Sequence, residues 1–179
     1  MPVADADPRN LRLRRRRALS GIPSMYHADQ PPRPIIAPLG TLYEQVAPLS
    51  YPLIRVTAGL LLLPHGAQKL FCLFGGDIGA TAGLFAKVGI QPALPLAYLL
   101  GCVEFFGGLL MAIGLLTRVA AAGIVIMMAV ALLQVHLGNG FFWTKLGFEY
   151  PLFRGLVAFA IFLRGGGELS VDRAIGREP

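Results

Sequence analysis

The sequence predicts an all-α membrane protein, a bundle of four transmembrane helices with a short interfacial segment between helices one and two. Three observations predict it. Hydrophobic residues make up 55% of the 179 residues and charged residues only 15%, against about 25% charged in ordinary soluble domains. The mean hydropathy is +0.61. The charges are also unevenly placed, with seven of the sixteen basic residues (Arg9, Arg12, Arg14, Arg15, Arg16, Arg17 and Arg33) lying before Pro48, ahead of the apolar runs. In lipid a chain must satisfy its own backbone hydrogen bonds, so such runs are expected to be helices.

Residues 1–47 read as a disordered basic cytoplasmic leader, rich in Pro, Arg and Asp and without an apolar period. The Arg14–Arg17 run resembles a twin-arginine export signal. The stretch after it lacks an apolar core and contains Pro23, His27 and Asp29, which argues against a cleavable signal. A basic tail attracts nucleic acid or an anionic membrane surface. No basic module with interleaved aromatics follows this one, so lipid headgroups are the expected partner and nucleic acid is not. The domain assignment is then a leader to residue 47, a membrane domain over 48–173 and a C-terminal tail over 174–179.

Span one is expected from Tyr51 to Phe74, with Pro52 in its first turn, where a missing N–H is harmless. Pro64 lies inside it and should kink it by freeing a carbonyl one turn earlier. Gly75-Gly76 ends it. In the loop from Asp77 to Gln91, Ile78, Ala82, Phe85 and Val88 can share one helical face, which suits a helix on the membrane surface. A Gly-rich loop with a single helical turn fits the same residues. From Leu94 to Leu137 the chain is almost continuously apolar. A single helix of that length would measure about 66 Å, roughly twice the hydrocarbon thickness. It must fold back, and Gly114-Leu115-Leu116-Thr117-Arg118 is the hairpin, with Thr117 as the cap of the next helix. Span two is therefore Pro95–Leu116 and span three Arg118–Leu137, ended by Gly138-Asn139-Gly140. Phe141, Phe142 and Trp143 suit an interfacial aromatic belt. Span four, Tyr150 to Leu163, is short and needs local thinning of the bilayer or extra length from Gly147 onward.

Lys and Arg placement sets the orientation. With both termini inside, the inner segments hold the tail arginines, Arg118, Arg164, Arg173 and Arg177, and the outer loops hold only Lys87 and Lys145. Cys72 and Cys102 form neither a CxxC pair nor a metal spacing, and are expected to pack rather than to bridge or bind a metal.

Ionisable residues inside a span are costly and face the bundle interior or a cavity. Arg55 and Lys69 share a stripe of span one with His65, while Glu104 lies on a face of span two with Ala97, Gly101 and Gly108. Those small residues let a neighbouring helix come close. His136 ends span three, and Glu149, Tyr150 and Arg154 open span four. Counting 1.5 Å per residue, His65 and Glu104 each lie about 13 Å below the outer surface, and Lys69 and Arg154 roughly 5–8 Å. His136 and Glu149 lie near that surface. Two readings are open: the charges pair to hold the helices in register, or His65, Lys69, Glu104, His136, Glu149, Tyr150 and Arg154 line an outward-opening site for a small anion, a quinone headgroup or a proton. The concentration in one half of the bilayer favours a site.

Leu53-Ile54-Arg55 and Leu63-Pro64-His65-Gly66-Ala67-Gln68-Lys69-Leu70-Phe71 resemble the opening signature of the DoxX family. So do Val103-Glu104 with Gly107-Gly108, the Gly114–Arg118 hairpin, Val135-His136 through Phe141, and Gly147-Phe148-Glu149-Tyr150. The resemblance covers residues 50–173. It implies a four-helix protein of the bacterial inner membrane, serving an oxidoreductase system linked to quinone or to thiol and sulfur chemistry. It assigns no catalytic role to any residue. The chain carries no flavin, haem or iron–sulfur motif, so no cofactor is expected in the chain itself. Quinone is the candidate ligand, with electrons supplied by a partner. An oxidoreductase partner subunit and a second copy of the chain are the candidate protein partners. The alternative is a small-solute transporter or a membrane scaffold without catalysis. The inner half offers only Arg55 and Arg118 to an aqueous path, which argues against transport.

Overall fold

The structure, a computed structural model, describes residues 35–177. The leader arginines and the question of an export signal lie outside the described residues. The chain clusters into two units, residues 1–43 and 44–179, and every site described below lies within the second. Among the described residues every regular element is helical.

Helix α1 runs Ala37–Leu60, so it opens fourteen residues before the expected start at Tyr51. The leader expected through residue 47 is helical over 37–47. The physical reason lies in Thr41–Ala47, which contains no Gly or Pro to stop a helix. Pro48 and Pro52 fall inside the helix. They are four residues apart, so the amide that Pro52 lacks is the one the Pro48 carbonyl would have accepted, and both losses fall along one face. At Leu61–Leu62 the helix breaks, and α2 resumes over Leu63–Phe71 with Pro64 in its first turn, as the kink expectation required. Cys72 ends α2 in the left-handed region, its N–H reaching the Ala67 carbonyl.

Helix α3, Ile78–Lys87, settles the following segment as a helix rather than a loop. The Asp77 side chain caps it by accepting from the Gly79 N–H at 2.7 Å. Helix α4 runs Ala93–Ile113 and contains a π-helical segment at Val103–Gly107. The hairpin then turns through Gly114 (φ 74°) and Leu116 (φ 49°). Helix α5 covers Thr117–Asn139. Leu116 takes the cap position expected of Thr117, and Thr117 is the first helical residue. Helix α6 is Glu149–Arg164 and the short α7 is Val171–Ala174.

Three helical segments are long and apolar enough to cross a membrane: Leu39–Phe71, Ala93–Ile113 and Thr117–Asn139. Helix α6 has 16 residues, about 24 Å against a hydrocarbon core of about 30 Å, and packs chiefly on α5. The shared core is small: Leu62, Met111, Ala121, Ile124, Ala158 and Ile161 are its most buried members. Leu53, Leu99, Ile126, Leu133, Phe153 and Leu163 instead face outward. That is the inside-out pattern a lipid solvent permits, because acyl chains are as apolar as leucine.

Close helix contact depends on glycine. A Cβ on Gly59 would lie 2.4 Å from the Gly108 carbonyl oxygen, and one on Gly108 would lie 2.8 Å from the Gly59 oxygen. Helices α1 and α4 thus touch backbone to backbone.

The end of the bundle that carries the hairpin is closed by a polar clamp. Asp172, 2% exposed, accepts from the N–H groups of Leu116 (2.8 Å) and Thr117 (2.9 Å) and from the Thr117 hydroxyl (2.7 Å). Its own N–H donates to the Gly114 carbonyl at 2.8 Å. Arg55, also 2% exposed, donates to the Met111 carbonyl at 3.0 Å and the Leu169 carbonyl at 2.6 Å. Burial alone would raise the Asp172 pKa. The Thr117 and Leu116 donors and the nearby Arg55 charge outweigh it and hold the carboxyl below its ordinary value.

Candidate functional site

The opposite end of the bundle holds the buried Glu104 with the half-buried Lys69 and Arg154, and the break at Leu61–Leu62 begins the arrangement. The Leu61 carbonyl, left at the kink, accepts from Arg154 Nη2 at 3.2 Å. The same break redirects α2 toward α4. A Cβ on Gly66 would lie 2.5 Å from the Phe105 nitrogen, and one on Gly101 would lie 3.0–3.1 Å from Leu70 and Lys69. The small-residue face expected of span two is therefore the face on which α2 lies. Across it, Lys69 Nζ sits 2.7 Å from Glu104 Oε2 and 3.2 Å from the His65 carbonyl oxygen.

Glu104 is 7% exposed and belongs to the π-helical segment. A π-turn holds one more residue than an α-turn, disturbs the regular ladder, and occurs mostly where a protein needs a side chain re-aimed. Here the side chain so placed is the one buried carboxylate of this end.

Arg154 stacks over the Tyr150 ring at 4.4 Å. Its charge acts on both Glu104 and His65. Among the described residues Lys69–Glu104 is the only salt bridge. Glu149 and Arg154 do not form a pair. Glu149 Oε2 instead accepts from the Trp143 N–H at 3.1 Å. This end therefore holds one neutralised pair and one cation with no carboxylate within 4.0 Å among the described residues, and it favours an anion or a carbonyl oxygen.

Two cavities share a wall at Tyr150 and Phe153, and the first of them reaches this cation. One is an apolar groove of about 300 Å³ between α1 and α6, walled by Leu53, Thr57, Leu61 and Val157 and closed at one end by Tyr150 and Arg154. The other, about 590 Å³, is lined by His136, Trp143, Glu149 and Tyr150. There His136 Nδ1 lies 2.6 Å from the Leu146 carbonyl oxygen, which also accepts from Asn139 Nδ2 at 3.2 Å. The seven residues singled out from sequence thus fall into two groups. His65, Lys69, Glu104 and Arg154 form one. His136, Glu149 and Tyr150 form the other. The Arg154–Tyr150 stack joins them. Both cysteines are free.

Sequence reasoning missed Asp172, which lies beyond the last expected span, in a stretch of the membrane domain to which no element was assigned. Only Ser170 hinted at order there: its hydroxyl caps α7 by accepting from the Arg173 N–H at 3.1 Å.

The DoxX family profile matches residues 51–137. The chain is 34% identical over 115 residues to an uncharacterized membrane protein of Mycobacterium tuberculosis, covering 64% of this chain and 58% of that protein's length. It is 30% identical over 120 residues to a Bacillus subtilis protein named "Putative oxidoreductase CatD", covering 67% of this chain and 82% of CatD. No solved structure matches the chain. With three apolar helical segments of spanning length and these relatives, the protein is an integral membrane protein and belongs to the DoxX family.

Proposed function

We propose that this protein is a membrane subunit of an oxidoreductase system and that it presents a quinone, or a small sulfur species, to the cationic end of its bundle. The observation that carries the reading is the meeting of an apolar groove with Arg154, beside the Lys69–Glu104 pair on its π-helical turn. An isoprenoid tail suits the groove, whose walls are Leu, Thr and Val. A carbonyl oxygen or sulfur anion suits Arg154, which has planar donors and no carboxylate within 4.0 Å among the described residues. Glu104 and His65 are the groups able to exchange protons with such a ligand. Electrons enter from a partner subunit. The oxidoreductase name of CatD points in the same direction.

In this reading α6 completes a fourth crossing, and both termini face the cytoplasm of a bacterial plasma membrane. The charge asymmetry supports this: Arg118, Arg164, Arg173 and Arg177 lie at the hairpin end, and Lys87 and Lys145 in the opposite loops. Termini fused to reporters that act on only one side of the membrane test the orientation.

The functional test is purification in mild detergent, extraction of co-purifying lipids, and titration of the emptied protein with menaquinone and ubiquinone analogues. The reading expects quinone to co-purify, and expects Arg154→Gln to weaken binding with little change in melting temperature. Absence of any co-purifying or titrating quinone, together with a Glu104→Gln variant altered only in stability, would sink it.

A further inference from the structure

A second polar recess lies at the hairpin end, beyond the C-terminus of α6, and is unused by the site above. We infer that it binds the phosphate group of an anionic phospholipid. Arg164, Arg173 and Arg177 line a crevice of about 440 Å³ together with Ser170 and the backbone of Gly167 and Gly176. None of the three arginines has a carboxylate within 4.0 Å among the described residues. Two carboxylates share the wall, Asp172 and Glu168. Asp172 is committed to Leu116 and Thr117 and lies near Arg55. Glu168 alone is left to offset three guanidinium groups, so the recess is cationic.

A helix C-terminus ordinarily repels an anion, because its last carbonyls carry partial negative charge. At the end of α6 three of those carbonyls, those of Ile161, Phe162 and Leu163, are occupied. Arg118 donates to the Phe162 and Leu163 oxygens at 3.1 and 3.3 Å, and the Gly165 N–H takes the Ile161 oxygen at 2.7 Å. Arg164 is also held in place, stacked over the Tyr51 ring at 4.4 Å, while the Tyr51 hydroxyl donates to the Gly165 carbonyl. A guanidinium fixed in this way can face a phosphate with little further loss of side-chain freedom.

The surroundings identify the carrier of the phosphate. Leu163, Leu169 and Ile175 stand exposed on the segments that form the recess. A cationic recess bordered by outward leucines, at the end of an apolar helix, matches a headgroup with its acyl chains beside it. A soluble phosphate would leave those apolar groups without a role.

The test reconstitutes the full chain in nanodiscs of phosphatidylcholine doped with phosphatidylglycerol. Retained lipid is counted by native mass spectrometry as the discs are stripped. Phosphatidylglycerol should be kept selectively. Arg173→Gln with Arg177→Gln should lower its retention roughly tenfold to thirtyfold, since each arginine near an anionic surface contributes about one fivefold factor. The paired Lys substitutions should keep most of it, and circular dichroism melting should show all variants folded. Displacement of the lipid by millimolar inorganic phosphate, lost in the Gln variant, would uphold the phosphate site while assigning it to a soluble source. Equal retention of the two phospholipids, or a Gln variant indistinguishable from the parent, would overturn the inference.

Discussion

Removing the Asp172 carboxylate should loosen the hairpin end of the bundle more than any other single polar change outside the membrane spans. In the structure this side chain is 2% exposed and accepts three hydrogen bonds of 2.7–2.9 Å from Leu116 and Thr117. Its negative charge also acts on the buried Arg55. Each hydrogen bond to a charged group contributes about 1.5–3 kcal/mol, but bonds sharing one carboxylate do not add. Breaking a buried charged arrangement by removing one member costs about 3–5 kcal/mol, and that is the expected loss for Asp172→Ala. Asp172→Asn keeps one carbonyl oxygen and should lose about half as much. The carboxyl titrates below its ordinary value in the folded chain. Its stabilisation is therefore complete above about pH 4 and is lost as pH falls through the depressed value. Reversible unfolding in mixed micelles, followed by circular dichroism at several pH values, measures both effects. The native chain should weaken below about pH 4 through this group, and the Asn variant should lack that part of the slope. A loss under about 1 kcal/mol for Asp172→Ala, or identical acid profiles for the two chains, would refute the clamp.

Further expectations concern the same frame. Gly114 has φ 74°, and a Cβ there would lie 2.0 Å from Arg55 Nη1; Gly114→Ala should cost about 2–4 kcal/mol in the same unfolding assay, from strain and displacement of Arg55 together. Gly59→Val should push α1 from α4, because its Cβ would meet the Gly108 oxygen at 2.4 Å. About 1–3 kcal/mol of destabilisation is expected, and an unchanged midpoint would contradict the backbone contact. Lys69→Met leaves Glu104 buried without its cation and should cost about 3–5 kcal/mol. Lys69→Met combined with Glu104→Gln should recover most of that loss, since no uncompensated charge remains.

The helices α4, α5 and α6 were legible in the sequence because lipid forces backbone bonds inward and leaves apolar runs as the visible trace. The kink at Pro64 and the turn at Gly114 were legible for local reasons of backbone geometry. That Lys69 and Glu104 belong to one polar cluster could be foreseen from their place in the same half of the bilayer, although the estimated depths did not pair them. Its partners could not: that Glu149 would turn to the Trp143 N–H and Arg154 to the Leu61 carbonyl depends on how α6 rotates against α1 and α5. Asp172 was hidden for the same reason, its three donors lying some 55 residues earlier in the chain. The start of α1 at Ala37 was missed because prolines at 48 and 52 read as a boundary, whereas the helix passes through both.

The central claim is that the cationic end of the bundle holds a ligand rather than merely fastening helices. Exchanging the pair, Lys69→Glu together with Glu104→Lys, separates the two roles, read as quinone affinity and unfolding midpoint on the same samples. The account predicts a midpoint restored toward the native value relative to either single change, with quinone binding weakened because the proton-exchanging carboxylate has left the π-helical turn and a second cation stands there in its place. Recovery of both stability and quinone affinity would contradict it and leave the pair as a structural fastening alone.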